Sequence, residues 1–176
     1  MIAIFFLIFL LGTTFANPTT QPKVDECGEN IMCHFVKGFL EGINEGGDIN
    51  KLLKCINGTE NIIEKLKIAL ELILTFEYEK IVRGVTMLVE TITKLIEILK
   101  PCASGFIELN KLWIAMLNTN IIKIVIKIIQ HHQELYDDIL YIIWNIGMFN
   151  FEAVGKGIGN ILYRLYLDKS FGLTNQ

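Results

Sequence analysis

The sequence predicts an all-α fold, a compact disulfide-linked bundle of six to seven helices. Three observations carry that expectation. After about residue 30 the apolar residues recur at helical spacing, and no segment alternates like a strand. Proline is absent from every helix interior so defined. The breaks between periodic segments are short and marked by Gly-Gly, Asn-Gly or Pro, as between neighbouring helices of a bundle.

The elements follow in order. MIAIFFLIFLLGTTFA has the layout of a secretory signal peptide over residues 1–16, with Thr14 and Ala16 placing small residues before a cleavage point. Its apolar run is shorter than the about 20 residues that a spanning helix needs, and no Lys or Arg precedes it. Residues 17–29, NPTTQPKVDECGE, read as a flexible lead with two prolines and no apolar face. One domain is expected over residues 30–170, a length that suits a single core.

Its first helix runs from about Ile31 to Ile43, ended by NEGGD. Asp48 is placed to cap a short second helix, INKLLKCI, which Asn57-Gly58 breaks. Thr59 can cap the next, ENIIEKLKIALELILTF, whose wet stripe is Glu60, Glu64, Lys67 and Glu71. A long helix from about Tyr78 to Lys100 stops at Pro101, because proline disfavours helix in the residue before it. FIELNKLWIAML carries Glu108 and Lys111 as its charges, which places it near the centre.

NIIKIVIKIIQHHQELYDD opens a helix predicted from about Thr119 to Gly147. Lys123 and Lys127 share one wet face, and the rest of the cylinder is expected to pack against neighbours. Two lysines and two aspartates argue against a bilayer centre, at about 2.5–3.5 kcal/mol each. The last helix is expected from about Phe151 to Asp168, and residues 171–176 as a frayed tail.

Composition narrows the function classes. The net charge of −3 offers no field for nucleic acid, and an apolar share of 52% calls for a large core or a covered apolar surface. No transmembrane segment is expected once the signal is removed. The four cysteines, Cys27, Cys33, Cys55 and Cys102, point to two disulfides in an exported chain, and none of their spacings is a zinc knuckle. Three connectivities are open. A helical hairpin around Gly46-Gly47 brings Cys33 and Cys55 together, which leaves Cys27 with Cys102.

No catalytic residue, metal site or cofactor is expected. His131 and His132 point about 100° apart on a helix, and no second Glu-x-x-His pair faces them. Ser104 and Ser170 lie outside any nucleophile elbow, and paired cysteines are not nucleophiles. The chain is therefore expected not to be an enzyme. Asn57-Gly58-Thr59 is an N-glycosylation acceptor in a loop. Gly155-Lys-Gly157-Ile-Gly159 lacks both the strand and the spacing of a nucleotide loop. A helical glycine costs about 1 kcal/mol against alanine, so such residues need a packing reason. Gly38 with Gly42, and Gly155 with Gly159, each form a bare stripe that lets helix backbones approach closely.

The segments CHFVKGFLEGI, PCASGFIEL and AVGKGIGNILYRLYL together resemble small secreted cysteine-containing all-helical proteins of ciliated protists. That resemblance implies an exported, cysteine-paired helical domain and no catalytic residues. The residues themselves support a secreted, or secretory-lumen, non-enzymatic protein with a binding or structural role and an unknown partner. Two alternatives stand beside it. One is a carrier that holds a lipid or other apolar small molecule in an internal cavity lined by Trp113, Tyr141, Trp144 and Phe149. The other is a membrane-surface-active helical protein, against which the lack of a basic face counts.

Overall fold

A computed structural model describes residues 27–46, 51, 56 and 61–171. Among these residues there are seven α-helices and no strand: α1 (Ile31–Gly42), α2 (Ile62–Leu74), α3 (Tyr78–Leu99), α4 (Ile107–Asn118), α5 (Ile121–Gln130), α6 (His132–Gly147) and α7 (Phe151–Leu162). A 3₁₀ turn, Lys100–Cys102, follows α3, and a π turn, Tyr163–Leu167, continues α7. The predicted signal peptide, the predicted caps Asp48 and Thr59, Cys55, Asn57 and the tail beyond Phe171 lie outside the described residues. Of the expected INKLLKCI helix, Lys51 is helical and Ile56 is buried.

Asparagine starts three of the helices. Asn30, Asn120 and Asn150 each turn a side-chain oxygen back to accept from a first-turn N–H, at Cys33, Ile122 and Ala153. Left-handed residues end three. Asn44, Phe76 and Phe149 have φ of 59°, 52° and 55° just beyond α1, α2 and α6. After α1 the Glu45 N–H reaches the Leu40 carbonyl, and after α6 the Asn150 N–H reaches that of Asn145.

The centre of the bundle is the crossing of α1 on α7. A Cβ on Gly38 or Gly42 would fall on the backbone of Glu152 or Lys156, and one on Gly155 or Gly159 on the carbonyls of Phe35 or Phe39. The two helices run the same way, Phe35 beside Gly155 and Phe39 beside Gly159. Such contact buries Phe35, Val36, Phe39 and Leu40 completely. The α2–α3 hairpin uses the same device: a Cβ on Gly84 would lie 2.6 Å from the Ala69 carbonyl oxygen. Helix α6 bridges the two pairs, touching α7 and α2, while α5 packs on α3 and the π turn. Two buried polar side chains are satisfied one turn back in their own helices, Thr91 at Met87 O (2.7 Å) and Asn145 at Tyr141 O (2.8 Å).

Four expectations need correction. The long helix from Thr119 to Gly147 is two helices broken at His131, whose ring stacks on Phe171 at 3.8 Å between centroids. The break lets α5 turn onto the π turn, where Lys127 donates to the Leu165 carbonyl at 2.8 Å. Burial there pushes the Lys127 ammonium below its ordinary pKa, against the pull of Asp168. Phe171 is therefore buried rather than part of a frayed tail. Helix α4 is not central: Leu109, Leu112 and Met116 face inward, but Ile107, Ile114 and Leu117 are exposed.

The disulfide pairing also differs. Cys27 bonds Cys33, with Cα atoms 5.4 Å apart, so neither Cys33–Cys55 nor Cys27–Cys102 forms. The lead turns back at Gly28 (φ 53°), Asn30 N–H meets the Cys27 carbonyl, and Cys27 lands beside the first turn of α1. Cys102 is half-buried and also disulfide-bonded.

Candidate functional site

Among the described residues the two most exposed large apolar side chains, Phe149 and Trp144, stand where α6 ends and α7 begins. Tyr141, Trp144, Met148 and Phe149 are 56%, 71%, 63% and 78% exposed, values that separate them from a core merely grazing the surface. The first three follow one another at spacings of three and four, which sets them on one stripe of α6. Leu140 lies beside them on the same stripe. Opposite this stripe, Leu135, Ile139 and Ile142 hold the helix to the core. Phe149 comes next, placed by its left-handed backbone, and meets Phe151 edge-on at 6.2 Å between ring centroids.

Two open grooves flank this corner. One, of about 670 Å³, runs along Leu140, Tyr141, Ile143, Trp144, Gly147 and Met148. The other, of about 610 Å³, has an apolar floor of Ile31, Met32, Ile63, Ile146, Phe149 and Phe151, and a rim of Glu29, Asn30, Asn61, Glu64 and Lys67. The four aromatics expected to line one internal cavity are thus dispersed. Tyr141 and Trp144 share the first groove, Phe149 lies in the second, and Trp113 sits half-buried on α4 with the Lys100 ammonium 5.4 Å over its ring. The reason is local: Tyr141 and Trp144 fall on the outward stripe of α6, where none of the described helices covers them.

The corner is electrically quiet. No charged residue occurs between Ile139 and Phe151. Three of the carboxylates that bound it are paired, Asp138 with Arg164 at 2.6 Å, Glu152 with Lys37 at 2.9 Å and Glu41 with Lys156 at 2.5 Å; on the rim of the second groove Lys67 lies 3.8 Å from Glu71, and Glu29 and Glu64 add further carboxylates. The Glu41 carboxylate raises the Lys156 pKa by hydrogen bond and by charge.

The remaining polar candidates are scattered. His131 lies under Phe171 with Nδ1 3.7 Å from Glu134, whereas His132 turns to the Ile129 carbonyl and to Phe76. His34 bonds the Gly28 carbonyl at 2.8 Å. Among the described residues no three His, Cys, Asp or Glu side chains converge as metal ligands would. No single described helix is long and apolar enough to cross a membrane; α4 and α5 would do so in length and composition together, but they meet at 105°. Gly84 and Phe149 are the positions that sequence reasoning passed over or placed elsewhere. Gly84 had a signal in being a lone glycine inside a strong helix, whereas Phe149 had none.

Residues 18–166 match the model of the SctB-like family, described as secreted protein B-like. The chain belongs to that family. The match takes in all seven helices and the apolar corner, and the family's description agrees with an exported protein. No curated protein and no solved structure matches the chain.

Proposed function

We propose that this SctB-like protein is a secreted, non-enzymatic binding protein whose working surface is the α6–α7 corner. In this reading the protein leaves by the secretory pathway, residues 1–16 are a cleaved signal, and Asn57 is open to glycosylation. The likeness of its motifs to secreted proteins of ciliated protists belongs to the same reading. One observation carries it: Trp144, Met148 and Phe149 stand together in solvent with no charge among them. Side chains of that kind dominate the centres of binding interfaces, and monomers seldom leave them contiguous and uncovered. The non-enzymatic part rests on the scatter of the histidines and on carboxylates that sit in ion pairs on helix surfaces.

An apolar-ligand carrier is the second reading, now located in the surface groove rather than an internal cavity. The groove floored by Ile31, Ile63, Ile146 and Phe149 has a volume of about 610 Å³, within the range of ligand pockets. Native mass spectrometry of the secreted protein tests both. A retained apolar molecule, lost in a Phe149→Ser variant, supports the carrier. An empty monomer with intact disulfides, whose surface still takes up a neutral apolar dye, supports the binding face alone. Failure of the dye to respond to Trp144→Ser or Phe149→Ser overturns the reading.

A further inference from the structure

We propose that the α6–α7 corner seats on the interface of a lipid bilayer whose headgroups carry no net charge. This rests on the corner being a binding face, and adds the identity of what it meets. The first argument is the residue chemistry. Tyr141 and Trp144 have amphipathic rings that favour the headgroup level, while Leu140, Met148 and Phe149 supply purely apolar surface for the acyl boundary below it. All five project from one helix stripe and the turn that ends it, so a single shallow docking immerses them together.

The second argument is charge. A surface that binds anionic lipid presents unpaired lysines and arginines beside its apolar face. Here Lys37, Lys67, Lys156 and Arg164 are each paired with a carboxylate, and the whole chain is acidic at −3. Such a corner neither gains from an anionic surface nor is repelled by a zwitterionic one. Its electrical neutrality is complementary to a phosphatidylcholine-like layer.

The third argument is hydrogen bonding. A protein partner is met by about one hydrogen bond per 100–200 Å² of interface. Of the polar side chains of this segment, Asn145 is buried and already donates to Tyr141 O, and the Asn150 oxygen already accepts the Ala153 N–H. What remains on the stripe is the Tyr141 hydroxyl and the Trp144 indole N–H, at ring edges where the wet headgroup zone satisfies them.

The test uses the full secreted chain with Trp113→Phe, which makes Trp144 its sole indole. Phosphatidylcholine vesicles are expected to shift Trp144 emission to the blue, lipids brominated near the headgroup to quench it, and the response to persist from low to high salt. Leu140→Ser with Met148→Ser, both at exposed positions, weakens partitioning at least about ten-fold, the factor that 1.4 kcal/mol gives. Ile122→Ser on the exposed side of α5 leaves it unchanged. Absence of the shift overturns the proposal, as does a shift confined to anionic vesicles and erased by salt. A blue shift that grows with protein concentration alone overturns it in favour of a second copy of the chain. If vesicles do nothing while a neutral dye still binds and is lost in the double variant, the lipid partner is wrong and the binding face stands. If neither responds, both fall.

Discussion

Phe149 occupies the position after the α6 cap where glycine or asparagine ordinarily sits, with φ at 55°. For a bulky side chain that backbone costs about 1–2 kcal/mol, and the return within the fold is one edge contact with Phe151. Phe149→Gly is therefore expected to leave stability unchanged or raise it by up to about 1 kcal/mol in denaturant unfolding, while dye uptake at the corner falls. A loss above about 1 kcal/mol would show that the ring supports the core instead. Tyr166 gives a second residue-scale prediction. Burial pushes its phenol up to about 12. Below about pH 10 the folded and unfolded chains both keep that proton. Between about 10 and 12 the unfolded chain releases it and the folded chain holds it, so the unfolded state binds fewer protons and stability falls as pH rises. The loss is on the order of 2 kcal/mol by about pH 12. Tyr166→Phe should remove that part of the alkaline slope, seen as urea midpoints that converge between about pH 9 and about pH 11.

The crossing of α1 on α7 sets the behaviour of elements. Gly155 has the Phe35 carbonyl where a Cβ would be, and a backbone cannot swing aside as a side chain does. Gly155→Ala should cost at least about 1–3 kcal/mol in unfolding free energy, through separation of the two helices. Gly46→Ala, with open space around it, should stay within about 0.5 kcal/mol. A gain in stability from Gly155→Ala would mean that the helix propensity of alanine outweighs close approach at this crossing. The spacing of Gly38 with Gly42 and of Gly155 with Gly159 is readable in one dimension because four residues return to the same helix face. The break at His131 is not. No glycine or proline marks it, and the local sequence is good helix on both sides. It exists because Phe171 and the π turn, 32 or more residues beyond His131, offer α5 a docking surface in a new direction.

Over the whole molecule, the Cys27–Cys33 bond closes a loop with a sequence separation of 6. So short a loop removes little freedom from the unfolded chain, about 2 kcal/mol in the chain-entropy picture. Cys27→Ser with Cys33→Ser should lower stability by about that much and leave helix content intact by circular dichroism. A collapse of the fold would show that the bond orders more than the first turn of α1. Long-range order comes instead from packing of the α1–α7 pair on the rest, from the disulfide of Cys102, and from ties such as Glu45 Oε2 accepting the Leu109 N–H at 3.0 Å.

The order of helices, their wet stripes, the class of fold and the glycine-bearing helices were all determined by the sequence itself, since each depends on residues within a few turns of one another. The tertiary structure decided the rest: which cysteine meets Cys33, where α5 parts from α6, and that α4 lies at the edge. It also decided that Tyr141, Trp144 and Phe149 face outward. A helix has one periodicity but many azimuths. Which side is left uncovered depends on neighbours brought from far along the chain, and a backbone such as that of Phe149 is imposed by the closure it completes.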